Sequence, residues 1–164
     1  MPKLSNHKEQ FERVQRWYEI FKEINEGRIH NRPSEFYQDE VYAFFINCHH
    51  LKDWIINDKT LVILGAKAKK KKHVENYINS VDELKICADI CNGLKHLCFD
   101  KKHPPRSGKK PEFGSKIFKV TVGTEPTTIA VKNPVNTSLG PKDAFDLATK
   151  CIKAWEKFYS INNL

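Results

Sequence analysis

The stretch from Pro33 to about Ile56 is patterned on two sides of one helix, and this limits the fold more than any other feature. At about 100° per residue, Val41, Phe44, Cys48, Leu51 and Ile55 fall on one stripe. Tyr42, Ile46, His49 and Asp53 fall on a second, nearly opposite. A helix with two such faces needs neighbours on both sides, so it belongs in the middle of a helical bundle.

Other stretches supply the neighbours. Ser5 is placed to cap a first helix that runs to about Glu26. Phe11, Val14, Tyr18, Phe21 and Ile24 form its apolar stripe, Trp17 and Ile20 widen it, and Gly27 is a natural stop. Near the other end, Pro141 suits a first helical position. The helix that follows reaches about Ser160, with Phe145, Ala148, Ile152, Trp155 and Tyr159 facing inward. Between them, Ser80 and Glu83 have the spacing of a capping box for a helix ending near Phe99.

That last helix, Glu83 to Leu97 above all, divides into two faces. Leu84, Ala88, Cys91 and Cys98 line up as an apolar stripe, and Lys85, Asp89, Asn92 and His96 as a polar one. An amide, an acid, an imidazole and an amine on one face can do chemistry as well as meet solvent. Gly93 costs roughly 1 kcal/mol of helix propensity against Ala; it lets another backbone or a ligand come close, packing being the simpler reason, or it relaxes the helix one turn from His96.

The remaining segments read as connections and a hairpin. Thr60 to Gly65 (TLVILG) is too short for its period to decide a type. Ala66 to His73 (AKAKKKKH) reads either as a solvated helix start or loop, or as a place for phosphate contacts. Asp100 to Ser115 is rich in Pro, Gly and Lys and reads as an exposed loop. Lys116 to Val122 and Thr127 to Lys132 alternate like two strands around a turn at Gly123 to Pro126. An isolated hairpin is marginal in water, so this one should lie on the helices. Asn133 to Gly140 reads as loop. The expected architecture is mainly α: a four- to five-helix up-down bundle, one domain over residues 1–164, with a β-hairpin inserted before the last helix.

The chain of 164 residues is long enough for a real core, and its 40% apolar content with 10 Phe, 5 Tyr and 3 Trp can fill one. No run approaches the ~20 apolar residues of a membrane helix. The start, MPKLSNHKEQ, has no apolar segment of the kind a signal peptide carries. A cytoplasmic protein without membrane contact is the expectation. The net charge of +8 and pI of about 9.2 favour acidic partners, nucleic acid first. Five cysteines, Cys48, Cys87, Cys91, Cys98 and Cys151, all fall in expected helices with no CxxC pair. Cys87 with Cys91, and His96 near Cys98, have helical metal-site spacing. Small buried residues in a reduced cytosol is the simpler reading, and no metal or cofactor is expected.

Glycine-rich phosphate loops, GxSxG, HExxH and zinc-type Cys/His spacings are all missing from the sequence. Two helices then carry the candidate chemistry. His49 and Asp53 are i, i+4 neighbours, which suits either an oriented imidazole or a satisfied polar pair at a helix interface. If the helices pack together, His49, Asp53, Asn92 and His96 converge on one cleft suited to metal-independent RNA cleavage. His96 would move the proton, Asn92 would hold the imidazole or the phosphate, and Lys85 or Lys95 would supply charge. The alternative is that Asn92 and His96 form a polar packing pair.

The segment Cys91 to His96 (CNGLKH) resembles the core motif of HEPN domains. These are small all-helical proteins, many of them ribonucleases in toxin–antitoxin and phage-defence systems. Their motif is an Arg, four to six residues, then a His, with a polar residue, often Asn, directly after the Arg. Asn92 and His96 match it, whereas Cys91 stands where the phosphate-handling Arg would be. HHLKDW (His49 to Trp54) and the final helix with Trp155 fit as well, so the resemblance covers mainly Phe44 to Asp53 and Ile86 to Leu97. It implies a helical bundle, a homodimer that brings two motif helices together, and RNA or nucleotide as ligand in a bacterial defence setting. The catalytic set would be His96, Asn92, His49 and Asp53. The nucleic-acid-binding set would be Lys85, Lys95, Lys69, Lys70, Lys71 and Lys72. With Cys91 in place of the Arg, a binding-only protein is expected as readily as a nuclease. The other expectation is a non-catalytic protein-interaction module, antitoxin-like or scaffold, that uses its aromatic helix faces.

Overall fold

The computed structural model describes residues 6–29, 32–96, 102–123 and 127–164. Among them are five helices: α1 (His7–Glu26), α2 (Ser34–Asn57), α3 (Lys67–Ser80), α4 (Asp82–Lys95) and α5 (Ala144–Ile161). Five short strands precede α5: β1 (Glu112–Phe113), β2 (Ile117–Thr121), β3 (Thr128–Lys132), β4 (Pro134–Thr137) and β5 (Gly140–Asp143). The protein is mainly α, with two small antiparallel sheets. No helix among the described residues is long and apolar enough to cross a membrane.

Helix α2 is central, as its two-sided pattern requires. It packs against α1, α3, α4 and α5. Its stripe of Val41, Phe44, Cys48, Leu51 and Ile55 is fully buried. Rings from three helices close the core, with Phe21 edge-on to both Phe45 and Phe145, and Trp155 edge-on to Phe158. The first helix starts one residue later than expected. Asn6 caps it, its side chain accepting from the backbone N–H groups of Lys8 and Glu9. The expected cap, Ser5, lies outside the described residues.

Three boundaries differ from the sequence reading. Ser80 and Glu83 do not form a capping box. Ser80 closes α3, its hydroxyl donating back to the Tyr77 carbonyl at 2.6 Å, and α4 starts after Val81 without a side-chain cap. Tandem helices joined at one residue leave no room for the extended Ser that a capping box needs. Helix α4 also ends at Lys95 rather than near Phe99. His96 is extended (φ −122°, ψ 136°), and residues 97–101, with Cys98, lie outside the described residues.

The third difference is before α5. The hairpin is found, with β2 paired to β3 from Ile117↔Lys132 to Thr121↔Thr128; the expected turn at 124–126 lies outside the described residues. Asn133 to Gly140, however, is not a loop. A second sheet in the order β1-β4-β5 occupies it, and Pro141 sits in β5 opposite Asn136 rather than opening the helix. Pro141 is tolerated because β5 is an edge strand, and Pro134 because it is the first residue of β4. Asp143 caps α5 instead, accepting from the Phe145 and Asp146 N–H groups.

Candidate functional site

The polar stripe of α4 is divided between buried and exposed positions. Asp89 is only 1% exposed, and a loop from downstream covers it. Its Oδ1 accepts the Arg106 backbone N–H at 2.7 Å. Its Oδ2 accepts the Ser107 backbone N–H at 2.8 Å and the Ser107 hydroxyl at 2.6 Å. This cradle aims the Arg106 side chain across α3. There its Nη1 meets Glu75 at 2.6 Å and Asn79 at 3.4 Å, while Lys52 of α2 reaches the other Glu75 oxygen at 2.9 Å. Burial pushes the Glu75 carboxyl up, but the Arg106 and Lys52 contacts outweigh it and hold it down at about 2.

His49 is buried beside this cluster. Desolvation, then the charges of Lys52 and Arg106, bring its imidazole down to about 3. A ring that is neutral throughout the physiological range is not a proton donor there, so His49 does not serve as a general acid. Asp53 is exposed, one turn on, and no hydrogen bond joins it to His49 among the described residues. It lines a shallow depression with Asn6, Trp54, Asn57 and Asp58, and neither His49, Asn92 nor His96 lines that depression. Asn92 is half-buried on the last turn of α4, and His96 is exposed beyond it. Of the four expected residues, His49 is buried, Asn92 is half-buried, and Asp53 and His96 are exposed.

His50, which is exposed, faces α4. Its Nε2 is 3.9 Å from the Cys91 sulfur. Burial pushes the Cys91 thiol up to about 11, so the residue at the motif's Arg position is a neutral core group. Sequence reasoning missed Lys52, Glu75 and Arg106. They stand on separate elements far apart in the chain, so no spacing rule links them. Gly93 lines an open groove with Tyr42, Asp89, Lys110, Pro111 and Phe113.

The basic residues separate by role. Lys85 is taken by Asp82 at 2.8 Å. Lys70, expected to bind nucleic acid, is 4% exposed and donates to the Asp58 carbonyl, so it is a structural cation. Lys69, Lys71, Lys72 and Lys95 are exposed. The first three, with exposed Lys67, crowd the N-terminal half of α3. That helix has no side-chain cap and no acidic residue in its first turn. Beside it lies a hollow of about 440 Å³ lined by Ile56, Asn57, Lys59, Leu61, Val62, Gly65, Ala66, Lys67 and Lys70.

No family model, no curated protein and no solved structure matches the chain.

Proposed function

We propose that the protein binds single-stranded RNA or a related phosphate-rich ligand without cleaving it, in the manner of a degenerate HEPN-like up-down bundle in a bacterial defence or toxin–antitoxin setting. The observation that carries this reading is the N-terminus of α3. Lysines in a first turn oppose the helix dipole, each at a cost of about 0.3–1 kcal/mol. Ser, Thr, Asp or Asn is the usual cap, yet Ala66 stands there and leaves the first N–H groups without a side-chain acceptor. A sequence that breaks two local rules at one place is built for something else there. Free N–H groups, Lys59, Lys67 and a hollow between them suit a phosphate. Cleavage is not part of the proposal, because His49 is buried and Arg106 is committed to Glu75.

Fluorescence anisotropy with labelled single-stranded RNA in EDTA tests it, with the RNA run on a denaturing gel afterwards and His96→Ala in parallel. Salt-sensitive binding with intact RNA for both proteins is the expected result. Cleavage by wild type that His96→Ala loses would make the protein a metal-independent endoribonuclease instead.

A second reading, a protein-interaction module or homodimer, rests on strand β2. Ile117, Phe118, Val120 and nearby Val122 are all at least half exposed on it. Its partner β3 lies between β2 and the bridge from Arg28 to Ile129, so among the described residues β2 is the open edge of that sheet. Apolar open edges attract a further strand. Sedimentation velocity of wild type and Phe118→Lys separates the cases: a dimer that the variant abolishes supports this reading, and a monomer in both removes it.

A further inference from the structure

We propose that Cys48, Cys87 and Cys151 form a three-sulfur site for one soft monovalent metal ion of the copper(I) class. The three residues come from α2, α4 and α5, and their sulfur atoms all lie within 4.8 Å of one another in the core. At a metal–sulfur distance of about 2.3 Å, three sulfurs around a planar ion stand ~4 Å apart. The trio needs only a small contraction to reach that spacing. None of the three thiols is in a disulfide.

A further observation points to a ligand. The indole Nε1 of Trp155, one turn from Cys151, is buried without a hydrogen-bond partner. The Cys87 thiol donates to the Phe45 carbonyl at 3.5 Å, and the Cys151 thiol to the Glu83 carbonyl at 3.3 Å.

On loading, the ion enters, a metal–sulfur bond forms to each cysteine, and each S–H bond breaks with its proton released to solvent, because a bound cysteine is a thiolate. No oxidation state changes. Soft thiolate donors select copper(I), whereas zinc takes four ligands, and no fourth ligand residue joins this group among the described residues.

The test uses the full chain, reduced and kept free of oxygen. It is titrated with copper(I), added as the acetonitrile complex, against bicinchoninate as competitor. One equivalent retained per chain is expected, lost in Cys48→Ala and Cys151→Ala and kept in Cys91→Ala. Removing a core thiol can unfold the chain, so X-ray absorption on the loaded wild type decides independently. A shell of three sulfurs without nitrogen supports the site. A nitrogen-containing shell, as Cys91 with His50 would give, overturns it. So does failure to retain copper(I), retention by a folded Cys48→Ala, or zinc held as tightly in the same competition.

Discussion

Asp89 and Ser107 are joined twice at one carboxylate oxygen: Oδ2 of Asp89 accepts both the backbone N–H of Ser107, at 2.8 Å, and its hydroxyl, at 2.6 Å. With the Arg106 N–H on Oδ1, a buried acid of α4 fixes a loop that would otherwise run free, and so aims Arg106 at Glu75.

Asp89→Asn tests that relationship. The amide keeps one acceptor oxygen but turns a second donor toward the N–H and hydroxyl of Ser107. A buried donor left unpaired costs about 1–3 kcal/mol. The expected outcome is a urea midpoint lowered to match, with faster proteolysis between 102 and 110. An unchanged midpoint would mean the loop is held from elsewhere.

Acidification is expected to destabilise the protein in two stages. His49 falls from 6.5 to about 3 on folding, so between those values the unfolded chain binds a proton that the folded chain does not. Stability therefore rises with pH across that window and is lost as pH drops through it. His7, lowered by burial against Tyr159, acts in the same sense. Glu75 adds the second stage: its stabilisation is complete above 4.5 and lost as pH approaches about 2. Urea midpoints measured from pH 7 to 3 should fall throughout. In His49→Gln the fall between pH 6.5 and 4.5 should shrink to the His7 share.

What the sequence made legible follows from what its rules can reach. The double stripe of α2 placed that helix at the centre, because period and burial are both local properties of one segment. The β2–β3 hairpin was legible for the same reason. The β4–β5 pair was not, since Asn133 to Gly140 carries turn residues and two nearby prolines, which the edges of a small sheet tolerate. The site fared worse. His49 and Asp53 are correctly spaced as neighbours on a helix, but burial splits them, the one sealed beside Arg106 and the other exposed. Asp89 and Lys70 looked like surface polar groups, and only the tertiary fold supplies the loop and the carbonyl that bury them.

Lysine substitutions should separate binding from structure. Lys69 and Lys72 are exposed, whereas Lys70 between them is buried on the Asp58 carbonyl. For single strands each neutralised phosphate adds about 0.7 to the slope of log affinity against log salt. Lys69→Gln with Lys72→Gln is expected to weaken RNA binding and flatten that slope by ~0.7 for each phosphate no longer neutralised, at unchanged thermal stability. Lys70→Gln should lower the melting temperature and leave the slope intact in whatever fraction stays folded. Equal effects of both variants on the slope would remove α3 as the binding face.

Placing an Arg at residue 91, where the HEPN motif has one, tests whether the resemblance extends to nuclease activity. Cys91 is 4% exposed, its sulfur lies 3.9 Å from His50, and Lys52 and Lys95 are close enough to act on its thiol. Cys91→Arg forces a much larger side chain into that space, which alone costs about 1–3 kcal/mol. It also adds a third cation, with Asp53 the acid that acts on this position. A drop of at least about 3 kcal/mol in urea unfolding is expected, with no RNA cleavage. Residue 91 is then a packing position that the fold does not open to an Arg. A folded Cys91→Arg protein that cleaves RNA in EDTA, and stops when His96 is also changed to Ala, would reverse that conclusion and return His96 to the role of catalytic base.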